Sequence, residues 1–232
     1  MSTFVLIHGA GDVGWSWHLV EAQLRKHGHD VVAPDLPCDD DSAGLKEYAD
    51  TVVEAIGNRK NLIVVAHSYG GFTAPLVAAR LPTDALVLVA GMIPSRGETP
   101  DEYWETSGCN EAVRAQAARD GGLTGNEDPF VTFYHDVPRQ LAEEALRHER
   151  PQSSTPGTLP WPLEVWPNVR THFVLCTDDR VFPSDWLRRL VHERLRISPD
   201  EIAAGHCAAL SQPEALANVL LRYAGEAERQ LQ

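Results

Sequence analysis

Ser68 lies in the stretch Ala66-His67-Ser68-Tyr69-Gly70-Gly71. An apolar run before it, Leu62 to Val65, reads as a buried strand, and Phe72 to Arg80 after it reads as a helix. A serine on a sharp strand-to-helix turn has its Oγ held clear of the sheet, where it can attack a carbonyl carbon. The residues two before and two after such a serine come close together and must be small; here they are Ala66 and Gly70. A helix N-cap serine followed by glycines for close packing would leave the same residues. Partners elsewhere in the chain have to separate the two readings.

A serine hydroxyl is a poor nucleophile until a base takes its proton. A histidine suits that task near neutral pH, and it needs an acceptor to fix its tautomer and support its cation. Of ten histidines, His18, His27, His29, His135, His148 and His192 fall on polar or helical segments and are expected to be solvated. His67 adjoins the serine, but its side chain is expected to point away across the turn. His206 differs, because it sits in a loop, Gly205-His206-Cys207, after the last strand and before the last helix. That is the C-terminal edge of the sheet, where open α/β sheets bind ligands. Asp178 and Asp179 follow the strand Thr171–Cys176 at the same edge, and the residues alone do not separate them.

The loop after the first strand, His8-Gly9-Ala10-Gly11-Asp12-Val13-Gly14, supports two readings. As an oxyanion loop it supplies the Ala10 N–H, with the Tyr69 N–H as the second donor. As G-x-G-x-x-G it matches a dinucleotide-binding fingerprint, with Asp35 in the place of a ribose-binding acid. Three features weaken the second reading. His8 stands where such a strand usually stays apolar, Trp15 and Trp17 crowd the helix start, and no Tyr-x-x-x-Lys occurs.

The elements that would position these residues follow a β-α-β-α alternation. Strands are expected at Phe4–Ile7, Asp30–Ala33, Leu62–Val65, Asp84–Ala90, Thr171–Cys176 and near Glu201–Ala203. Helices are expected at about Trp17–Lys26, Leu45–Ile56, Phe72–Arg80, Ser184–Leu195 and Pro213–Ala224, with Glu226–Gln232 frayed. Apolar, β-branched strands in that alternation imply a parallel sheet covered on both faces. From Ile93 to about Asn168 the pattern breaks into a polar, Pro- and Gly-rich stretch. It carries helix-like pieces near Asn110–Arg119 and Pro138–Arg150, and the aromatics Tyr103, Trp104, Phe130, Phe133, Tyr134, Trp161 and Trp166. This reads as an insertion, 93–168, capping a core made of 1–92 and 169–232, with Trp104, Phe133 and Trp161 lining an apolar pocket.

Composition narrows the partners. At 232 residues with 43% apolar and 23% charged residues, the chain suits one soluble domain with an insertion, or two small ones. A net charge of −13 argues against nucleic acid and anionic membranes. The expected partner is a small-molecule substrate, with the oligomeric state open between monomer and homodimer. No stretch approaches the ~18 apolar residues of a membrane span, and no signal peptide is read before Phe4. Cys38, Cys109, Cys176 and Cys207 form no CxxC pair, so free thiols in the cytoplasm are the expectation and no metal or organic cofactor is implied.

Together these segments resemble the α/β-hydrolase superfamily. The carrying residues are Val5-Leu6-Ile7-His8-Gly9-Ala10-Gly11, Trp15-Ser16-Trp17, Asp35-Leu36-Pro37, Ala66 to Gly71, Asp179-Arg180-Val181-Phe182-Pro183 and Gly205-His206. The chain is similar to the compact branch that holds plant methylesterases, hydroxynitrile lyases and many bacterial esterases. The resemblance implies an α/β-hydrolase fold with a helical cap, acting as a serine hydrolase on carboxylic esters. The triad order is Ser68, then acid, then His206. The family pattern sets the acid just before a short apolar pair and a proline, which selects Asp179, and it makes Asp35 a structural residue. In lyases of this branch a threonine follows the loop histidine and a lysine follows the catalytic one. Gly9 and Cys207 stand there instead, which favours ester hydrolysis over cyanohydrin cleavage.

Overall fold

A computed structural model describes residues 1–230 of the chain. Six strands form one parallel sheet: β1 Thr3–Ile7, β2 Asp30–Val32, β3 Leu62–His67, β4 Thr83–Val89, β5 Thr171–Cys176 and β6 Asp200–Ile202, in the spatial order β2-β1-β3-β4-β5-β6. All five residues of β1 are buried. Val5 and Ile7 face one apolar core, and Phe4 and Leu6 face another. A sheet covered on both sides requires such uninterrupted apolar strands. Each buried Val, Leu, Ile or Phe contributes about 1.5–3 kcal/mol, enough to offset about 1–2 kcal/mol per residue of backbone ordering.

Helix α1 (His18–Lys26) follows a 3-10 turn at Gly14–Trp17; α2 is Leu45–Ile56 and α3 is Ala74–Ala78. Between β4 and β5 come α4 Pro100–Thr106, α5 Cys109–Asp120, α6 Pro129–Thr132, α7 Arg139–His148 and α8 Thr155–Thr158; α9 Ser184–Leu195, α10 Ala208–Ser211 and α11 Pro213–Gln230 complete the chain. Side chains of α2, α3 and α9 fill one core, with Tyr103, Cys109 and Trp161 from the β4–β5 segment. Side chains of α1 and α11 fill the other.

Three expectations change. The helix expected over Phe72–Arg80 is a 3-10 turn at Ser68–Phe72 followed by the short α3, because two glycines and Pro75 interrupt regular α-helical bonding. The last helix does not fray after Ala224; Ala227 is buried in the core and Glu228 pairs with the N-terminal ammonium at 2.6 Å. Leu231 and Gln232, part of the expected frayed end, lie outside the described residues. Between β4 and β5 there are five helices where two were expected.

The chain runs from β1 to β2 on one side, then returns past β1 to β3 on the other. The connections leaving β1 and β3 therefore diverge, and a crevice opens at the C-terminal ends of these two strands.

Candidate active site

Ser68 follows directly on β3 with φ +50°. A non-glycine residue there is strained by about 1–3 kcal/mol and persists only where its surroundings dictate it. They do so here by close packing. A Cβ on Gly71 would stand 1.9 Å from the Met92 carbonyl oxygen, and one on Gly70 would stand 2.8 Å from that of His8. The Met92 N–H also donates to Ser68 O at 2.9 Å. The side chain of Ser68 is half-buried, and its Oγ makes no hydrogen bond to a described residue.

Beyond the ends of β5 and β6, Asp179 Oδ2 accepts a hydrogen bond from His206 Nδ1 at 2.8 Å, with both residues buried. The other carboxylate oxygen accepts from Val181 N–H at 2.7 Å and Phe182 N–H at 3.1 Å. The Asp-x-Val-Phe-Pro segment thus supplies two amides that fix and stabilise a buried carboxylate. Asp178 is exposed, and its carbonyl oxygen accepts a bond from His135 Nε2 at 2.9 Å. Because the Nδ1–H goes to Asp179, Nε2 of neutral His206 is left as an acceptor.

His67 corrects an expectation. Its ring does not turn away from the site. It lies 4.6 Å from the His206 ring, and Nε2 donates to the His206 carbonyl oxygen at 2.9 Å. Burial, reinforced by the neighbouring histidine, holds its pKa well below the usual imidazole range, so it is neutral. Its position as the last residue of β3 was legible; its partner was not, because the β6–α10 loop is 139 residues away in sequence.

The loop after β1 is held by its first and last residues. His8 Nδ1 donates to Gly9 O at 2.8 Å, and Nε2 accepts the Leu36 N–H at 2.9 Å. Burial pushes the His8 pKa down to about 4, which preserves that single tautomer. Gly14 N–H donates to Asp35 Oδ1 at 2.7 Å, and a Cβ on Gly14 would lie 2.1 Å from Ala33 O. These contacts account for both Gly14 and Asp35 without a ribose. Between them, Ala10 is exposed and its N–H has no acceptor among the described residues. Tyr69 is the second residue of the 3-10 turn Ser68–Phe72 after β3, where the first amides of a helical turn lack partners within it.

Residues 4–219 match the model of a family described as "Alpha/beta hydrolase family". The chain belongs to the alpha/beta hydrolase family. Methylesterase 7 of Arabidopsis thaliana is 28% identical over 251 residues, covering 95% of each chain. Norfluorocurarine synthase 2 of a Strychnos species is 26% identical, covering 94% of this chain and 93% of its own. The crystal structure of polyneuridine aldehyde esterase superposes with a TM-score of 0.78 at 20% identity, over 96% of this chain and 98% of that one.

In this alpha/beta hydrolase the three aromatic residues expected to line a pocket separate. The Phe133 ring, 41% exposed, meets the His206 ring edge-on at 5.6 Å. Trp104 packs on Phe182 at 5.6 Å, and Phe182 in turn lies 5.3 Å from His206. Phe182 is thus a wall of the site that the sequence pattern marked only as part of the acid motif. Trp161 is elsewhere: 4% exposed, it donates from Nε1 to Phe72 O at 3.1 Å and stacks near Trp166 rather than on any ring around His206. It anchors the β4–β5 segment to the core. A cavity of about 1000 Å³ opens between α5 and α9, lined in part by Asp179, Asp136 and Arg180. It reaches the acid from behind, and Ser68 and His206 do not line it. Among the described residues, no helix is long and apolar enough to cross a membrane.

Proposed function

We propose that the chain is a serine hydrolase that cleaves a carboxylic ester, or a related acyl bond, of a small to medium and largely apolar substrate. The buried 2.8 Å bond between Asp179 and His206, at the sheet edge where Ser68 is held at φ +50°, carries this reading. The printed name of the Arabidopsis relative, methylesterase, supports it.

In this mechanism Ser68 Oγ attacks the substrate carbonyl carbon while His206 Nε2 takes the hydroxyl proton. The imidazolium that forms keeps its Nδ1–H on Asp179, whose negative charge stabilises it. The carbonyl oxygen, now negative, accepts from Ala10 N–H and Tyr69 N–H; losing one such donor costs about 10²–10³ in rate. The bond to the leaving oxygen breaks as His206 returns its proton to that oxygen, releasing an alcohol and leaving an acyl-serine. His206 then takes a proton from water, the resulting hydroxide attacks the acyl carbon, and the Ser68–acyl bond breaks with the proton returned to Oγ. Cys207, next to His206, is a thiol whose pKa burial raises well above its usual range. A thiol, neutral or anionic but never cationic, offers no positive charge to a cyanide leaving group, which supports hydrolysis over lyase chemistry.

Phe133 and Phe182, with Trp104 behind, would give the site its apolar walls, and residues 93–168 would act as its cap. Four free thiols suit the cytoplasm.

Treatment with a fluorophosphonate, read by intact mass, tests the proposal. One adduct is expected on Ser68, absent in Ser68→Ala and formed far more slowly in His206→Ala. A folded protein that takes no adduct would overturn the reading.

A further inference from the structure

The run Phe133–Asp136, just before α7, crosses the two loops that carry the acid and the base. Phe133 covers the His206 ring, and Tyr134 turns inward against Leu210 and Ala142. The next two residues take hold of the backbone on both sides. His135 Nε2 donates to Asp178 O at 2.9 Å, and Asp136 Oδ2 accepts from Gly205 N–H at 2.6 Å. Those bonded groups sit one residue before Asp179 and one residue before His206. The loops also join directly, Asp178 N–H donating to Ala204 O at 3.0 Å.

Gly205 shows that this contact shapes the site. Its φ is not in the left-handed region, so backbone conformation does not demand glycine there. Space does: a Cβ would stand 2.5 Å from Asp136 Oδ1 and 2.7 Å from His135 Nε2. Asp136 Oδ1 is itself buried without a hydrogen-bond partner. An unpaired buried carboxylate oxygen is costly to keep and needs an explanation.

We propose that His135 and Asp136 form a positioning clamp, by which the segment between β4 and β5 holds the Asp179 and His206 loops in mutual register. The pair touches neither substrate nor the reacting atoms; it acts by keeping His206 Nε2 aligned with Ser68. A misplacement of about 1 Å at a reacting group can cost on the order of 10² in rate. This inference rests on the serine-hydrolase reading, and its test includes a measurement that does not.

Asp136→Ala removes the acceptor, whereas Asp136→Asn keeps an oxygen for the Gly205 N–H. The alanine variant is expected to react with the fluorophosphonate about 10- to 100-fold more slowly, with KM for a simple p-nitrophenyl ester within about twofold, and the asparagine variant to recover most of the rate. Gly205→Ala, which pushes the pair away from the opposite side, should reproduce the slow reaction. Hydrogen exchange of the peptide spanning 204–207 is expected to accelerate in Asp136→Ala and Gly205→Ala and to remain near the parent in Asp136→Asn. Parental labelling and exchange in Asp136→Ala, or an asparagine variant as slow as the alanine one, would overturn the clamp. If the parent itself takes no label, the hydrolase reading fails, and the exchange pattern alone decides whether the clamp exists.

Discussion

Around Ser68 the backbone is fixed by contacts that leave no room for a methyl group; around His206 it is fixed by side-chain hydrogen bonds. On the nucleophile side, Gly70 and Gly71, just after Ser68, pack against the carbonyl oxygens of His8 and Met92. On the acid–base side, Asp136, His67 and Asp179 hold Gly205 N–H, His206 O and the His206 ring. The difference follows from what each residue must do. The serine has to sit in a strained conformation, which tight packing against rigid main chain can impose. In the proposed mechanism the histidine changes charge during turnover while its ring stays aimed, which a set of directional bonds permits. The two sides should therefore fail differently: an added methyl group on the nucleophile side meets main chain that cannot yield and costs stability, whereas the acid–base side loses rate when a directional bond is broken, by removing a partner or by pushing it aside.

The largest effect is expected from adding one methyl group on the nucleophile side. In Gly71→Ala the new Cβ would lie 1.9 Å from Met92 O, against main chain that cannot swing aside. Overpacking of this kind costs about 3 kcal/mol or more, or about 6–12 °C in melting temperature for a chain of this size. Any folded fraction should lack the turn that presents Ser68, so fluorophosphonate labelling should vanish with stability. Gly205→Ala adds the same methyl group to the other side, where side chains can give way, and should melt close to the parent. Thermal melts of the pair decide the matter; equal losses would remove the distinction.

The same distinction explains what the sequence made legible. Parallel strands buried on both faces announce themselves as apolar runs, and loops at their C-terminal ends inherit that placement. Ser68, His206 and the Ala10 loop were therefore assignable to one edge. Asp179 was separable from Asp178 only through the family pattern, although a physical signal exists: the amides two and three residues on, Val181 and Phe182, need an acceptor once buried. Helix α4 was not among the expected elements, although its start carries a signal, Thr99-Pro100-x-Glu102, in which Thr99 Oγ1 accepts the Glu102 N–H and the Glu102 carboxylate accepts the Thr99 N–H. The clamp was not readable. His135 and Asp136 look like an ordinary polar loop, and their partners lie 43 and 69 residues away, joined only by the folded topology.

A middle-sized effect should come from His67, which belongs to the nucleophile side by sequence and to the base side by its bond. In His67→Phe the ring volume is nearly kept and the donor to His206 O is lost. A buried carbonyl left without its partner costs about 1–3 kcal/mol. The added freedom of His206 should slow labelling about tenfold, given that 1 Å errors reach about 10². His67→Gln can still donate and should lie between the two. If His67→Phe reacts as fast as the parent, His206 is held by Asp179 and Asp136 alone, and His67 is no part of the hydrogen-bonded side.

The smallest effect concerns Asp12, at the seam between the two sides. Its Oδ1 accepts Val13 N–H at 2.8 Å within the loop after β1. Its carboxylate also lines a small cavity of about 20 Å³ together with Trp17, His67 and Cys207. Burial, with lesser help from the charges of Glu149 and Asp35, pushes its pKa up to about 6 from an ordinary 3.8. The sign is then fixed. At pH 7 the carboxyl is ionised in both the folded and unfolded chain, so the full penalty for burying the charge is present. As pH falls through 6 the folded form takes up a proton first, and the penalty fades toward pH 4. Asp12→Asn keeps the acceptor for Val13 N–H without the charge, and should stabilise the protein by about 1–2 kcal/mol at pH 7. The gain should shrink as the melt is repeated at pH 6 and pH 5. His8, held near 4 by burial, pulls the other way: the unfolded chain binds its proton first, so stability is lost as pH falls from about 6.5 toward 4. His67, also held well below the usual imidazole range by burial, acts in the same direction as His8. In the parent the Asp12 slope opposes these histidine slopes; in Asp12→Asn they remain unopposed by it, so the variant should lose stability more steeply on acidification. A variant whose melting temperature follows the parent at every pH would mean that the Asp12 charge is already neutralised in the fold.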